Sequence, residues 1–187
     1  KGSKYEDCLP IGSMDIVDHF PYKDLRDYYH KWYRPDLQAI IVVGDIDVDA
    51  MEKKIKDIFG PIPMPKNAAK REYFSVPDND KMIVASLKDA EQPIMLVNLY
   101  MKRDAAPETE KNTLKYQRDA YLDDLVSYIV GERLNEVQES PSKPCLSASA
   151  RIGQFLVSRS KEAFTLSFGA RQENIRGSFE AAVGCIE

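Results

Sequence analysis

Histidine and cysteine are scarce in this chain of 187 residues, which limits the metal and redox chemistry that it can carry. The two histidines, His19 and His30, are too far apart in sequence for the i, i+4 pair of a helical zinc site. The three cysteines, Cys8, Cys145 and Cys185, form neither an even disulfide framework nor a Cys-x-x-Cys metal site. We therefore expect both histidines to be structural and the cysteines to be buried or free thiols.

Other absences exclude further classes of function. No apolar run approaches the roughly 18 to 20 residues that span a bilayer, so we expect no transmembrane segment. A net charge of −4 and a pI near 5.4 argue against binding to nucleic acid or to an anionic membrane. The sequence has no Gly-x-Ser-x-Gly elbow and no Gly-rich phosphate loop. It opens at Lys1 without a signal peptide, so we expect targeting information to have been removed; the compartment stays open between the cytoplasm and the periplasm or cell envelope.

The composition is that of a folded protein, with 43% apolar and 30% charged residues. Apolar spacing and turn residues predict both kinds of regular structure. Helices are expected at residues 21–33, 48–59 and 118–139, the last of these with an apolar stripe, and after Asn174 as an N-cap. Strands are expected at residues 37–43, 72–76, 81–87, 93–101, 145–157 and 163–170.

A proline-containing stretch, residues 61–70, has no periodicity and predicts a linker. We place residues 1–66 at the end of a first α/β unit, as helix-strand-helix plus linker, and residues 67–187 in a second α+β unit. The second unit should be a two-layer sandwich of mainly antiparallel sheet with its helices on one face. Its last helix lacks a stop signal, so we expect the unit to be truncated at its C-terminus.

The turn Gly44–Asp47 follows the apolar run of residues 39–43 and has three interpretations. Asp45 and Asp47 could bind a divalent metal at a strand end, as in an α/β metal-dependent hydrolase. The turn could also hold a phosphate, although it has a single glycine. We favour the third interpretation, in which Asp45 or Asp47 caps the helix that begins near Val48. Three glutamates on the long helix could suggest paired-carboxylate chemistry but are expected to form a solvated face: Glu132, Glu136 and Glu139.

The segment "LPIGSMDIVDHFPYKDLRDYYHKWYRPDLQAIIVVGDID", followed by "MEKKIKDIFGPIP", resembles the pitrilysin/insulinase family of zinc metallopeptidases. In that family an Ile-Gly segment leads to a helix, Tyr-x-Pro, an apolar strand, Val-Val-Gly-Asp, a helix and Phe-Gly-x-Ile-Pro. The match covers about residues 9–65, and "RLNEVQESPSKP" extends a weaker likeness along the chain. Leu37 departs from the pattern, because the family commonly has Asn at that position.

The resemblance implies that zinc belongs to a parent protein and not to this chain. Family members bind zinc through the inverzincin motif His-x-x-Glu-His and a downstream Glu, and neither His19 nor His30 begins such a motif. The chain should therefore lie downstream of the zinc site, with no catalytic or metal-binding residue of its own and with a metalloenzyme fold of the LuxS/processing-peptidase-like kind. Some members hold substrate with an Arg followed seven residues later by Tyr. Arg133 could be that Arg, but Ser140 stands where Tyr would be, which favours a structural repeat.

Three hypotheses of function follow. The first is a non-catalytic fragment of a zinc endopeptidase that contributes chamber wall and substrate cradle and is inactive alone. The second is a non-catalytic subunit or assembly protein of the same family, and the third is the metal-dependent hydrolase using Asp45 and Asp47. The expected partners are the rest of the parent chain and, in the parent, a peptide or protein substrate. A homo-oligomer is a further option, because an unpaired strand at residues 37–43 could pair with a second copy.

Overall fold

The computed structural model describes residues 2–8 and 10–187, and the chain divides into two compact units. One unit joins the N-terminal residues to Tyr73–Glu187, and the other is Pro10–Glu72. The division after Glu72 follows the proline-containing stretch in which the sequence predicts a linker. The assignment of residues 1–66 and 67–187 to two domains of a parent stays a prediction, because contacts within one chain do not show to which parent domain a segment belongs.

The larger unit is built on one antiparallel sheet in the order β1-β3-β2. Its strands are β1 (Met95–Asp104), β2 (Ser147–Gln154) and β3 (Lys161–Ala170). In the central strand, Leu166 pairs with Leu99 of β1 on one side and with Ala150 of β2 on the other. The prediction of an antiparallel sheet is confirmed.

Two helices, α4 (Leu114–Glu139) and α5 (Ile175–Gly184), cover one face of this sheet. Alternate residues of β3, Leu166 and Phe168 among them, project from that face. The core consists of buried residues from both helices, from β3 and from the segment before β2: Val130, Leu134, Cys145, Leu166, Phe168, Ala170, Ala182 and Cys185. Because α4 and α5 contribute to one core, both helices lie on the same face, and the predicted α+β sandwich is confirmed.

The outer edge of β2 is capped by side chains of α4. The side-chain amide of Gln138 accepts a hydrogen bond from the Ala148 N–H at 3.0 Å and donates one to the Ala148 carbonyl at 3.2 Å. The Ser127 hydroxyl accepts a hydrogen bond from the Ile152 N–H at 3.1 Å. These contacts satisfy backbone groups that a sheet edge would otherwise leave unpaired.

The smaller unit, Pro10–Glu72, contains helices and connecting segments. The helices are α1 (Met14–His19), α2 (Tyr22–Trp32) and α3 (Val48–Phe59), with a single 3₁₀ turn at Pro35–Leu37. All residues of this unit are described, and Arg34 is the one that is buried, with 8% exposure. The apolar stripes of its helices therefore face solvent instead of a core.

The predicted strands at residues 37–43, 72–76 and 81–87 are wrong. Residues 37–43 have no neighbouring strand, and an apolar strand needs partners on both sides to be buried. Residues 72–76 are not paired with a strand. The Phe74 carbonyl instead accepts a hydrogen bond from the Ser160 hydroxyl, at 3.1 Å. Residues 81–87 are exposed, Leu87 completely so. The second unit is consequently β-α-β-β-α, with three strands instead of the expected five.

Two details of the helices also differ from expectation. The long helix begins at Leu114 and not at residue 118, because the Thr113 hydroxyl caps it by accepting a hydrogen bond from the Tyr116 N–H at 3.2 Å. Asn174 does occupy the N-cap position of α5, but its side chain makes no capping hydrogen bond. The predicted apolar stripe on α4 has six residues, of which Leu134 is buried and Val137 partly buried. The other four are exposed, since the sheet is smaller than expected: Leu122, Leu125, Val126 and Ile129.

Candidate functional site

The turn Gly44–Asp47 is a helix-capping turn in the structure. The Asp47 carboxylate accepts a hydrogen bond from the Ala50 N–H at 3.0 Å and is the N-cap of α3. Asp45 is exposed. Residues 37–43 lie in no sheet, so this turn does not stand at the carboxyl end of a strand, where a ligand site would be expected. The interpretation that Asp45 or Asp47 caps the helix is therefore confirmed, with Asp47 as the cap.

The two histidines lie on separate helices and make local contacts. His19 Nδ1 is 2.9 Å from the Asp15 backbone oxygen, one helical turn earlier. The His30 ring packs edge-on against Tyr29, with 5.7 Å between the ring centroids. Across residues 2–8 and 10–187, no three His, Cys, Asp or Glu side chains are grouped so that they could hold a metal ion.

The cysteines divide into one exposed and two buried thiols. Cys8 is exposed, whereas Cys145 and Cys185 lie in the core of the larger unit. Burial raises the pKa of the Cys145 thiol, and the nearby Cys185 raises it further. Burial also raises the pKa of Cys185, against the opposing charge of Arg133. Because the thiolate is the reactive species, neither buried thiol is suited to nucleophilic catalysis.

The residues that the family resemblance singles out on α4 are engaged within the chain. The Arg133 guanidinium donates a hydrogen bond to the Cys185 carbonyl at 3.2 Å, at the end of α5. The Ser140 hydroxyl donates to the Val137 carbonyl at 2.7 Å and ends α4. The three glutamates are exposed, as expected for a solvated face: Glu132, Glu136 and Glu139.

Two ionic clusters, which the sequence did not reveal, stabilise the larger unit. The nearly buried Lys161 ammonium donates to Asp78 and to Asp104, both at 2.7 Å. Hydrogen bonds to Asp104 and Asp78 raise the pKa of Lys161, and the bond from Lys161 lowers the pKa of Asp78. An ammonium whose pKa is raised is a poor base or nucleophile at neutral pH.

The second cluster joins three elements of the same unit. The Arg103 guanidinium of β1 donates to Asp123 of α4 and, at 3.0 Å, to Glu162 of β3. Its hydrogen bonds, that to Asp123 first, raise the pKa of Arg103. A guanidinium with two carboxylates is saturated by its own chain, so this cluster supports the sheet and does not offer a catalytic group.

The smaller unit exposes many apolar and aromatic side chains. Along α2 a shallow recess is lined by tyrosines, with Tyr29 stacked on Tyr33 at 4.8 Å between ring centroids. In the segment that follows, Val43 is 91% exposed. Other exposed apolar residues of the unit include Leu25, Tyr28, Ile40, Ile41, Val42, Ile58 and Phe59. A surface of this kind indicates contact with another polypeptide and not chemistry.

The sequence matches the model of a protein family described as the peptidase M16 inactive domain, over residues 19–186. A probable zinc protease, PqqL, of Haemophilus influenzae is 30% identical over 136 residues. That alignment covers 72% of this chain and 14% of the Haemophilus protein.

Solved structures share the fold at lower identity. The crystal structure of the periplasmic protease PqqL from Escherichia coli is 24% identical, with a TM-score of 0.72 over 96% of this chain and 19% of that one. The crystallised first half of the same protease matches with a TM-score of 0.71, and 37% of it is covered. The ferredoxin protease FusC, in complex with Arabidopsis ferredoxin, is 21% identical with a TM-score of 0.68, over 98% of this chain and 19% of that one. The chain thus spans less than a fifth of the whole proteases that it resembles.

Proposed function

The chain belongs to the peptidase M16 family, as an inactive domain, and from this premise we propose that it forms non-catalytic wall structure in a zinc-dependent endopeptidase. The observation that carries the proposal is the family match to an inactive domain over residues 19–186. The resemblance of residues 9–65 to the pitrilysin/insulinase family predicted this membership, and the prediction is confirmed.

The side chains of the chain support a structural role. Two cationic side chains of the larger unit are paired within the chain, Lys161 with two aspartates and Arg103 with two further carboxylates. Arg133 binds a backbone carbonyl. The sequence contains no His-x-x-Glu-His, so zinc and the general base would come from another part of the parent.

We also propose that residues 1–66 complete a first α/β unit of the parent and that residues 67–187 form most of a second α+β unit. The separation of Pro10–Glu72 from Tyr73–Glu187 supports this division from residue 10 onwards, whereas residues 2–8 group with the larger unit. So does the exposure of the apolar residues 40–43, which need neighbouring strands that this chain does not supply.

The partners in this proposal are the rest of the parent chain and a peptide or protein substrate. FusC was crystallised in complex with a plant ferredoxin, which supports a protein as the substrate class. No helix in residues 2–8 and 10–187 is long and apolar enough to cross a bilayer. The comparisons lend no support to a homo-oligomer, and it is not part of the proposal.

The test compares the full-length gene product with this chain alone. The full-length protein should bind zinc and hydrolyse a fluorogenic peptide, and the chain alone should do neither. Stoichiometric zinc in the isolated chain that survives a mild chelator, and that is lost in His19→Ala or His30→Ala, would contradict the proposal. A full-length protein without His-x-x-Glu-His and without hydrolysis would identify a non-catalytic subunit or assembly protein instead.

The alternative hypothesis of a metal-dependent hydrolase is tested by a separate measurement. If Asp45 and Asp47 bound a divalent ion, Mg²⁺ or Mn²⁺ would raise the Tm of the isolated chain, and Asp45→Asn would abolish that rise. Because Asp47 caps α3 and Asp45 is exposed, we expect no metal-dependent change in Tm for the wild type or for Asp45→Asn.

A further inference from the structure

Arg34 is an unusual residue in Pro10–Glu72, because it is the one buried residue of a unit whose apolar side chains are exposed. Arginine is rarely buried unless its guanidinium is paired. The burial is therefore explained only by the groups that surround the side chain.

The guanidinium contacts three parts of the smaller unit at once. Nη1 donates a hydrogen bond to the Lys31 carbonyl in the last turn of α2, at 3.1 Å. Nη2 donates to the Ala69 carbonyl at 2.5 Å. The Asp36 carboxylate lies 3.0 Å from Nε as an ionic contact without hydrogen-bond geometry, and the Trp32 ring lies 5.8 Å from Cζ.

The contact with Ala69 distinguishes Arg34 from an ordinary helix cap. The Lys31 carbonyl is one of the last four of α2, which lack partners in the helix, and a basic side chain often satisfies such a group. Ala69, in contrast, lies 35 residues away in sequence, in the stretch that leads to the boundary after Glu72. A guanidinium can donate to two carbonyls in a fixed fork, which an ammonium cannot reproduce.

We propose that Arg34 is a latch that ties the linker to the end of α2. Residues 61–69 are held to the smaller unit through the Ala69 carbonyl, which leaves residues 70–72 of this stretch beyond the contact. The prolines at 61, 63 and 65 stiffen the same stretch, because each fixes its own φ angle. The proline-containing segment is therefore fixed at its C-terminal end. Its flexible part is shorter than the composition of residues 61–70 indicates.

Limited trypsin digestion of the whole chain tests the latch, since the linker has exposed cleavage sites on both sides of Ala69. Lys66 precedes Ala69, and Lys70 and Arg71 follow it. In the wild type we expect cleavage after both Lys66 and Lys70 to be slow, because a protease binds several residues on each side of the cut bond and must release Ala69, which the latch holds, at either site.

Arg34→Gln should accelerate cleavage after Lys66 and after Lys70 by about tenfold and leave cleavage after the exposed Lys88 unchanged, because it removes a charged donor of two hydrogen bonds. Arg34→Lys should give nearly the same result, since the fork is lost although the charge remains. Arg26→Gln, at an exposed arginine of α2, is the matched control and should leave the cleavage rates after Lys66 and Lys70 unchanged. No acceleration in Arg34→Gln, or equal acceleration after Lys53 and Lys54 of α3, would show that Arg34 does not act as a latch on the linker.

Discussion

The two units of this chain carry similar apolar patterns and use them differently. In Tyr73–Glu187 the stripes of two helices and alternate residues of a sheet meet in a core in which Leu134 and Leu166 are fully buried. In Pro10–Glu72 comparable stripes on α2 and α3 face solvent. The difference shows that periodicity predicts which face of an element is apolar, whereas burial depends on whether the chain also supplies a second layer.

The largest expected effect comes from truncating one apolar side chain in each unit. Leu134→Ala should lower the free energy of unfolding by about 2–5 kcal/mol, because it leaves a cavity in a closed core. Val43→Ala, at a residue that is 91% exposed, should change it by less than about 0.5 kcal/mol. Urea denaturation, monitored by circular dichroism, measures the free energy of unfolding of each variant. Similar losses in the two variants would show that residues 40–43 are buried in solution, against the contrast drawn here.

The next test concerns the edge of the sheet that the larger unit protects. Gln138→Leu should cost about 1–3 kcal/mol, because it leaves the N–H and carbonyl of Ala148 without their partner. Glu139→Gln, at an exposed neighbour on α4, is the control and should have little effect. Hydrogen exchange at β2 should accelerate in the first variant alone. Unchanged exchange would mean that α4 does not protect this edge.

How far the sequence predicts this molecule depends on the range of the interactions involved. Helix α3 was predicted at residues 48–59 and is observed at Val48–Phe59, because its cap and its stripe are local features. The prediction of strand 37–43 used an equally clear pattern but was wrong, since a strand requires neighbours that can lie anywhere in a longer chain, and residues 2–8 and 10–187 supply none.

The ionic contacts could not be predicted for the same reason. Lys161 meets Asp78 and Asp104, which are 83 and 57 residues away in sequence. Arg34 could not be singled out from the sequence, because an arginine before a proline forms no special pattern. For the candidate site, the sequence correctly favoured a capping turn but could not decide between Asp45 and Asp47, because both precede the helix closely enough to be its N-cap.

A smaller effect should distinguish the helix caps of the two units. Thr113→Ala removes the cap of α4, which packs on the core, and should lower global stability by about 0.5–2 kcal/mol. Asp47→Ala removes the cap of α3, which lacks a core, so we expect a local loss of helix without a shift of the main urea transition. Hydrogen exchange at residues 48–51 should report that loss, and Asp45→Ala is its control. A shift of the main transition in Asp47→Ala would show that the smaller unit unfolds together with the larger one.

The smallest expected effect is the pH dependence of an ion pair whose ammonium is nearly buried in the larger unit, compared with an exposed ion pair in the smaller unit. The hydrogen bond from Lys161 holds the pKa of Asp78 below its ordinary value, so the pair stabilises the fold above the unfolded-state pKa, near about 4. That contribution is lost as the pH falls through the lower folded-state pKa of Asp78. The urea midpoint of the wild type should therefore fall more between pH 7 and about pH 3 than that of Asp78→Asn, which has no carboxylate to protonate.

The matched pair in the smaller unit is Lys23 with Asp27, exposed on α2, where solvent screens the charges. Asp27→Asn should consequently show the same acid loss as the wild type. If Asp78→Asn also followed the wild type, the ion pair at Lys161 would contribute no more than a surface pair, although its ammonium is nearly buried.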